Sequence, residues 1–261
     1  MSVGISSACF YPEISENAVK YLCENDTPNI EIFFNSACEI KGEIFKEICD
    51  CVKENGTKVV SVHPFSSAFE PFMLFSDYER RFSDGLELYK RYFEVCNILG
   101  AKILVLHGDR ADRTYCDDRY IDRYHRLYTA GKEQGVVLAQ ENICYCRSRD
   151  TEFLKKMRAE LSDEVAFVLD LKQARRADVD YHEYIEVMGE KLIHLHANDF
   201  DENHDCLLPG KGVLDFSEVY RALSSVGFKG DSIIEVYRSN YGEHKELLES
   251  MRYLESFENK K

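Results

Sequence analysis

Residues 91–107 read RYFEVCNILGAKILVLH. A helical pattern stops at Gly100, a short turn follows, and a β-branched run, KILVLH, ends in a histidine. Glycine after a helix accepts the left-handed conformation that closes it. The run has no polar residue between Lys102 and His107. Such continuous apolar character implies a strand buried on both faces, as in a parallel sheet flanked by helices.

The unit recurs along the chain. Comparable runs are VGISS (3–7), IEIFF (30–34), KVVSVH (58–63), VVLAQE (136–141), VAFVLD (165–170), KLIHLH (191–196) and SIIEV (232–236). Helical patterns lie between them. EIFKEICDCVKENG places Ile44, Ile48, Cys51 and Val52 on one face and ends at Gly56, and FSEVYRALSSVGF ends at Gly227. NGTK, LGAK and GEK are the short connections from helix back to strand. Eight such runs in 261 residues predict one closed (β/α)8 barrel spanning residues 1–261. An open doubly wound sheet is the alternative, but no glycine-rich phosphate loop follows the first run.

Composition limits the function. A 44% apolar content supports a sizeable core, and no run is long enough to cross a bilayer. The N-terminal MSVGISSACFYPEIS lacks the basic flank and apolar stretch of a secretory signal, so the expected location is cytoplasmic, with no membrane partner. The ten cysteines are scattered, and most read as small hydrophobes in a reducing compartment. The formal net charge of −14 opposes a nucleic-acid partner and favours a small molecule.

In a barrel of this kind chemistry sits at the C-terminal ends of the strands. His63, His107, Glu141, Asp170 and His196 close five successive runs, and Glu235 lies in the eighth. Several carboxylates converging on one mouth repel one another unless a cation is present, so the set predicts a metal centre. The loops after the strands hold Arg110, Arg113, Arg147, Arg149, Lys172, Arg175, Arg176, Lys211 and Arg238. These read either as an electropositive rim for an anionic substrate or as ordinary solvated charge.

With SVHPF, LVLHG, QEN, VLD, HLHAND followed by PGKG, and IIEV in place, the chain resembles the sugar-phosphate isomerase/epimerase superfamily of xylose-isomerase-like barrels, which also includes endonuclease IV. The resemblance runs from VGIS to IIEVYR. It implies one divalent metal held by Glu141, Asp170, His196 and Glu235, with Mn2+, Mg2+ or Co2+ favoured and Zn2+ an option. It also implies that Glu141 and Glu235 transfer protons on opposite faces of a sugar, sugar phosphate or related keto or polyol substrate, through an enediolate. His63 and His107 match positions that bind substrate oxygens in the sugar enzymes and zinc in the nuclease branch. Gln173, Lys211 and Arg238 are the further expected substrate contacts. Members of the group are often dimers or tetramers, which makes a homo-oligomer an expectation.

The chain departs from the pattern in two places. DLKQ puts Gln173 where a histidine is common, and HDC puts His204 and Cys206 where an Asp-x-His pair is common. Those two residues read as a second, softer metal site or, by preference, as part of a lid. The same departures, with the acidic total charge, count against an abasic-site endonuclease. A keto-inositol-type dehydratase on the same metal site and a non-catalytic ligand-binding barrel are the other rivals. His194 reads as a core histidine one layer below His196, and His125, His182 and His244 as surface residues of helices. The aromatics of HPFSSAFEPFMLF (63–75) either cap the pocket or pack within a long loop.

Overall fold

Gly100 closes the helix Glu79–Leu99 with φ at +79°, and Gly56 closes Gly42–Asn55 with φ at +67°. Both adopt the left-handed backbone that a Cβ disfavours, and each turns the chain into the next strand. The computed structural model describes residues 2–113 and 116–258.

The strands are β1 (Val3–Ser6), β2 (Asn29–Phe33), β3 (Lys58–His63), β4 (Ile103–Leu106), β5 (Val137–Glu141), β6 (Phe167–Asp170), β7 (Leu192–Ala197) and β8 (Asp231–Ile234). Every run expected to be a strand is one. Each pairs in parallel with its successor, and β8 returns to β1 to close the barrel. His107 and Glu235 lie one residue beyond the ends of β4 and β8, which puts them at the mouth.

The helices cover the outside. On Gly42–Asn55 the buried stripe is Phe45, Ile48 and Val52, with Ile44 and Cys51 at its edges. Ile48 and Val52 of the expected face are buried and Phe45 joins them, while Ile44 and Cys51 are half-buried. Tyr89, Tyr92, Phe93, Tyr120 and Tyr124 fill the layer between helices and sheet without solvent exposure. Phe75 stacks on Tyr120 at 4.1 Å between ring centroids. Truncating such a ring typically costs about 3–5 kcal/mol. No helix among the described residues is long and apolar enough to cross a membrane.

Register determines what faces the mouth. Asp170 of β6 pairs with His196 of β7, and His196 pairs with Ile233 of β8. Residues paired across parallel strands share a face, so Asp170 and His196 project together into the barrel. His194 shares that face two residues lower, as its position in the strand requires.

Candidate metal centre and catalytic cavity

Glu141, Asp170, His196 and Glu235 each offer a ligand atom, and these atoms lie within 4.8 Å of one another. His196 Nδ1 stands 3.2 Å from Glu141 Oε1, 3.4 Å from Glu235 Oε2 and 3.8 Å from Asp170 Oδ2. Glu141, Asp170 and His196 are buried, whereas Glu235 keeps a side chain 13% exposed toward the cavity. Glu141 Oε2 points the other way, 3.1 Å from His107 Nε2 and 3.6 Å from His63 Nε2. The two histidines touch through their Nε2 atoms at 2.9 Å.

Two residues complete the centre that the strand ends did not reveal. Glu31, in the middle of β2, is fully buried and lies with Oε2 3.2 Å from His196 Nε2. Its carboxylate also accepts from Ser6 Oγ at 3.0 Å and Ser61 Oγ at 2.7 Å. Lys172, read from sequence as a rim lysine, is buried instead. Its ammonium donates to Asp170 Oδ2 and, at 2.5 Å, to Glu235 Oε2.

Charge follows from this packing. Burial by itself raises the Glu141 pKa, but His196, His107 and His63 reverse the effect and hold it well below the usual carboxylate range. Glu31 is lowered in the same way, burial being outweighed by His196 and His194. For Asp170 the opposing groups are Lys172 and His196, and the net shift is again downward. Burial disfavours charge on His196, yet Glu31, Glu235 and Glu141 hold its pKa well above the ordinary value. Lys172 is likewise held well above its ordinary value by Asp170 and Glu235 against the cost of burial. Glu31, Glu141, Asp170 and Glu235 thus lie around His196 and Lys172.

This donor set fits a divalent ion. Three carboxylates and one imidazole form the oxygen-rich ligation that hard or borderline cations take. Glu141 Oε2 is buried, with the imidazole nitrogens of His107 and His63 beside it. Glu31 on the far nitrogen of His196 is the outer-shell carboxylate that metal-binding histidines characteristically carry.

The QEN segment holds Glu141 and Asp170 in place. Gln140 points away from the mouth and donates to the carbonyls of Leu106 (3.2 Å), His107 (2.9 Å) and Glu141 (2.9 Å). Its Oε1 accepts from the Tyr120 hydroxyl at 2.5 Å. Asn142 joins β5 to β6, accepting from the Asp170 N–H at 2.7 Å and donating to the Asp170 carbonyl at 3.1 Å. Asp199 of HLHAND accepts from the N–H groups of Gly210, Gly212 and Leu214 at 2.9–3.0 Å, which clamps the PGKG turn.

The family described as the xylose isomerase-like TIM barrel matches residues 29–257. The chain belongs to this family. No curated protein matches the sequence. Among solved structures, a D-tagatose 3-epimerase-like protein superposes with a TM-score of 0.81 at 19% identity, covering 99% of this chain and 97% of that one. L-ribulose 3-epimerase gives 0.80 at 15% identity, with 100% and 97% covered. The 3-keto-D-glucoside 4-epimerase of E. coli gives 0.78 at 17% identity, with 98% and 99% covered. At these identities the likeness is one of fold.

Above the centre of this xylose isomerase-like barrel lies a cavity of about 370 Å3. His63, His107, Glu141, Gln173 and Glu235 line it, with Arg176 at the side. Its collar is aromatic: Tyr11, Phe33, Tyr145 and Tyr237. The aromatics of residues 63–75 do not contribute. Leu74 and Phe75 are core, while Phe69 and Phe72 face outward.

Several expected contacts fall elsewhere. Lys211 is exposed on the PGKG turn and does not line the cavity, because Asp199 directs that turn's backbone inward and its side chain outward. Arg238 donates to the carbonyls of Tyr241 and Gly242 at 3.0 and 3.1 Å and packs over the Tyr241 ring, away from the cavity. His204 is exposed and bonded to Asp201 at 2.9 Å, whereas Cys206 is buried. One faces solvent and the other the core, and neither belongs to a metal-competent cluster among the described residues. His194 is buried, with Nε2 3.2 Å from Ser61 Oγ and 3.4 Å from Glu31 Oε2. His125 and His182 lie partly exposed on helices, but His244 precedes its helix and packs on Phe10 and Tyr21. The rim is not broadly electropositive. Arg113 and Arg147 face Asp109, Arg110 pairs with Asp112, and Arg176 reaches Asp205.

Glu31 left one signal in the sequence: a lone carboxylate between Ile30 and Ile32, within an apolar run. A charge there has to point into the barrel and needs a partner. The role of Lys172 left none, since a lysine just after a strand is ordinarily solvated.

Proposed function

We propose that this protein is a divalent-metal-dependent epimerase of a ketose or a related carbohydrate, with Mn2+, Mg2+ or Co2+ as the favoured ion. The observation that carries the reading is the placement of the Glu141 and Glu235 carboxylates beside Asp170 and His196, at the floor of a cavity with an aromatic collar. The solved neighbours named as 3-epimerases of ketoses support it.

Glu141, Asp170, His196 and Glu235 would hold the ion. When bound, it polarises a carbonyl and an adjacent hydroxyl of the sugar and so acidifies the neighbouring C–H. Glu141 and Glu235 then serve as the proton-transfer pair, one removing the proton from the carbon beside the carbonyl and the other returning a proton to the opposite face. His63, His107 and Gln173 supply donors and acceptors for sugar oxygens. Tyr11, Phe33, Tyr145 and Tyr237 cover its apolar face and exclude water. Because Arg176, which lines the cavity, is engaged with Asp205 and the Tyr237 hydroxyl, the preferred substrate is an uncharged sugar rather than a phosphate.

Incubation with a panel of ketoses in heavy water tests this reading. Deuterium is expected at the carbon next to the carbonyl only after metal loading, and Glu141→Gln and Glu235→Gln are each expected to lower the exchange rate about 10²–10⁴-fold. No exchange into any ketose, under any metal loading, would sink it.

A further inference from the structure

Asp170 has one oxygen to give to a ligand. Its Oδ1 is already occupied, accepting the N–H groups of Lys172 (2.8 Å) and Gln173 (3.3 Å) and the Asn198 carboxamide (2.9 Å). Only Oδ2 faces His196 Nδ1, and that oxygen is the one the Lys172 ammonium takes. On Glu235 the oxygen nearest His196 Nδ1 is Oε2, and Lys172 holds it at 2.5 Å. The ammonium therefore sits on the same two oxygens that would ligate an ion.

Lys172 is not a loose surface side chain that touches these acids in passing. It is 3% exposed and belongs to the short helix Leu171–Ala177, whose first turn Asp170 caps, so its attachment point is rigid. It also lines the cavity, with the Tyr237 ring 5.9 Å from its Nζ.

We propose that Lys172 is an internal counterion that competes with the divalent metal for Asp170 Oδ2 and Glu235 Oε2. Two cations cannot share a pair of oxygens at hydrogen-bond distance without strong repulsion, so metal entry displaces the ammonium toward the cavity and Tyr237. Metal affinity is accordingly weaker than the four ligands alone would give. The ammonium also offsets part of the negative charge of Asp170 and Glu235. This inference rests on the assignment of Glu141, Asp170, His196 and Glu235 as a divalent-ion site.

Calorimetric titration of Mn2+ into the metal-stripped wild type and into Lys172→Met tests it, with circular dichroism confirming that the variant is folded. The variant is expected to bind Mn2+ at least about ten-fold more tightly. A second readout uses the wild type alone. Acetylation of Lys172 by acetic anhydride, followed by peptide mass spectrometry, is expected to speed up on saturation with Mn2+. Equal or weaker binding by a folded variant overturns the proposal while leaving the metal-dependent reading in place. Labelling of Lys172 that Mn2+ leaves unchanged has the same consequence. Failure of both proteins to take up Mn2+ overturns the proposal and the metal-dependent reading together.

Discussion

Glu31 and His196 form one buried pair, with carboxylate Oε2 3.2 Å from imidazole Nε2, while the opposite nitrogen of the same ring faces Glu141, Asp170 and Glu235. Glu31 thus fixes which nitrogen is turned toward the ligand atoms. Replacing Glu31 by Gln preserves volume but removes the charge that holds the ring in this orientation. We expect Mn2+ affinity to fall about 10–100-fold, as measured by calorimetry. An unchanged affinity would show that the pair serves only packing.

Gln140 carries no predicted chemistry, yet three carbonyls and one tyrosine hydroxyl depend on it. Gln140→Ala leaves these buried groups short of partners, each at about 1–3 kcal/mol when fully unsatisfied. With relaxation, a net loss of about 2–3 kcal/mol and a drop in Tm of about 5–10 °C are expected in thermal melts. A melt matching the wild type would mean that the strand ends are held by other contacts.

Gly108, directly after the strand-end His107, has φ at +91°, and a Cβ built there would lie 2.0 Å from the Tyr120 hydroxyl oxygen. Gly108→Ala should therefore destabilise the protein by about 3 kcal/mol or more, through backbone strain and overlap together. Adding Tyr120→Phe removes the overlapping atom and should recover part of that loss. The two changes would then be non-additive in a denaturant-based mutant cycle. Strict additivity would contradict the close approach.

Tyr145 and Tyr237 stand at the cavity mouth, half-exposed and away from the ligand oxygens. Truncating either to Ala removes contact with bound sugar and leaves the proton-transfer pair intact. The expected signature is a KM raised about ten-fold with kcat within a few-fold of the wild type, from steady-state kinetics on the best ketose found. A collapse of kcat at constant KM would assign these rings to the chemistry rather than to binding.

The barrel, and the convergence of Glu141, Asp170, His196 and Glu235 at its mouth, could both be read from the chain. Continuous apolar runs, helix-ending glycines and short return turns are local signals, because they reflect backbone geometry and burial that each segment must satisfy on its own. A polar residue at the end of such a run points to the mouth once the barrel closes. That is why Glu141, Asp170, His196 and Glu235 were legible without coordinates. Lys211, Arg238, His204 and Cys206 sit on turns, where no periodicity sets the direction of a side chain, so their placement was not legible in the chain. Asp199 turns Lys211 outward, and the carbonyls of Tyr241 and Gly242 draw Arg238 aside.

Glu31 and Lys172 mark the boundary between the two kinds of information. Their neighbours in sequence say only that one is in a strand and the other follows one. Their roles arise from atoms contributed by segments up to 165 residues away, through Glu31 with His196 and Lys172 with Glu235. The energy of a buried charge depends on which opposite charges lie within a few ångströms, and only tertiary packing sets that distance. Strand order and the inward face of each strand were determined by the sequence alone; which charge answers which, and hence how tightly the centre would hold a cation, was decided by the closed barrel.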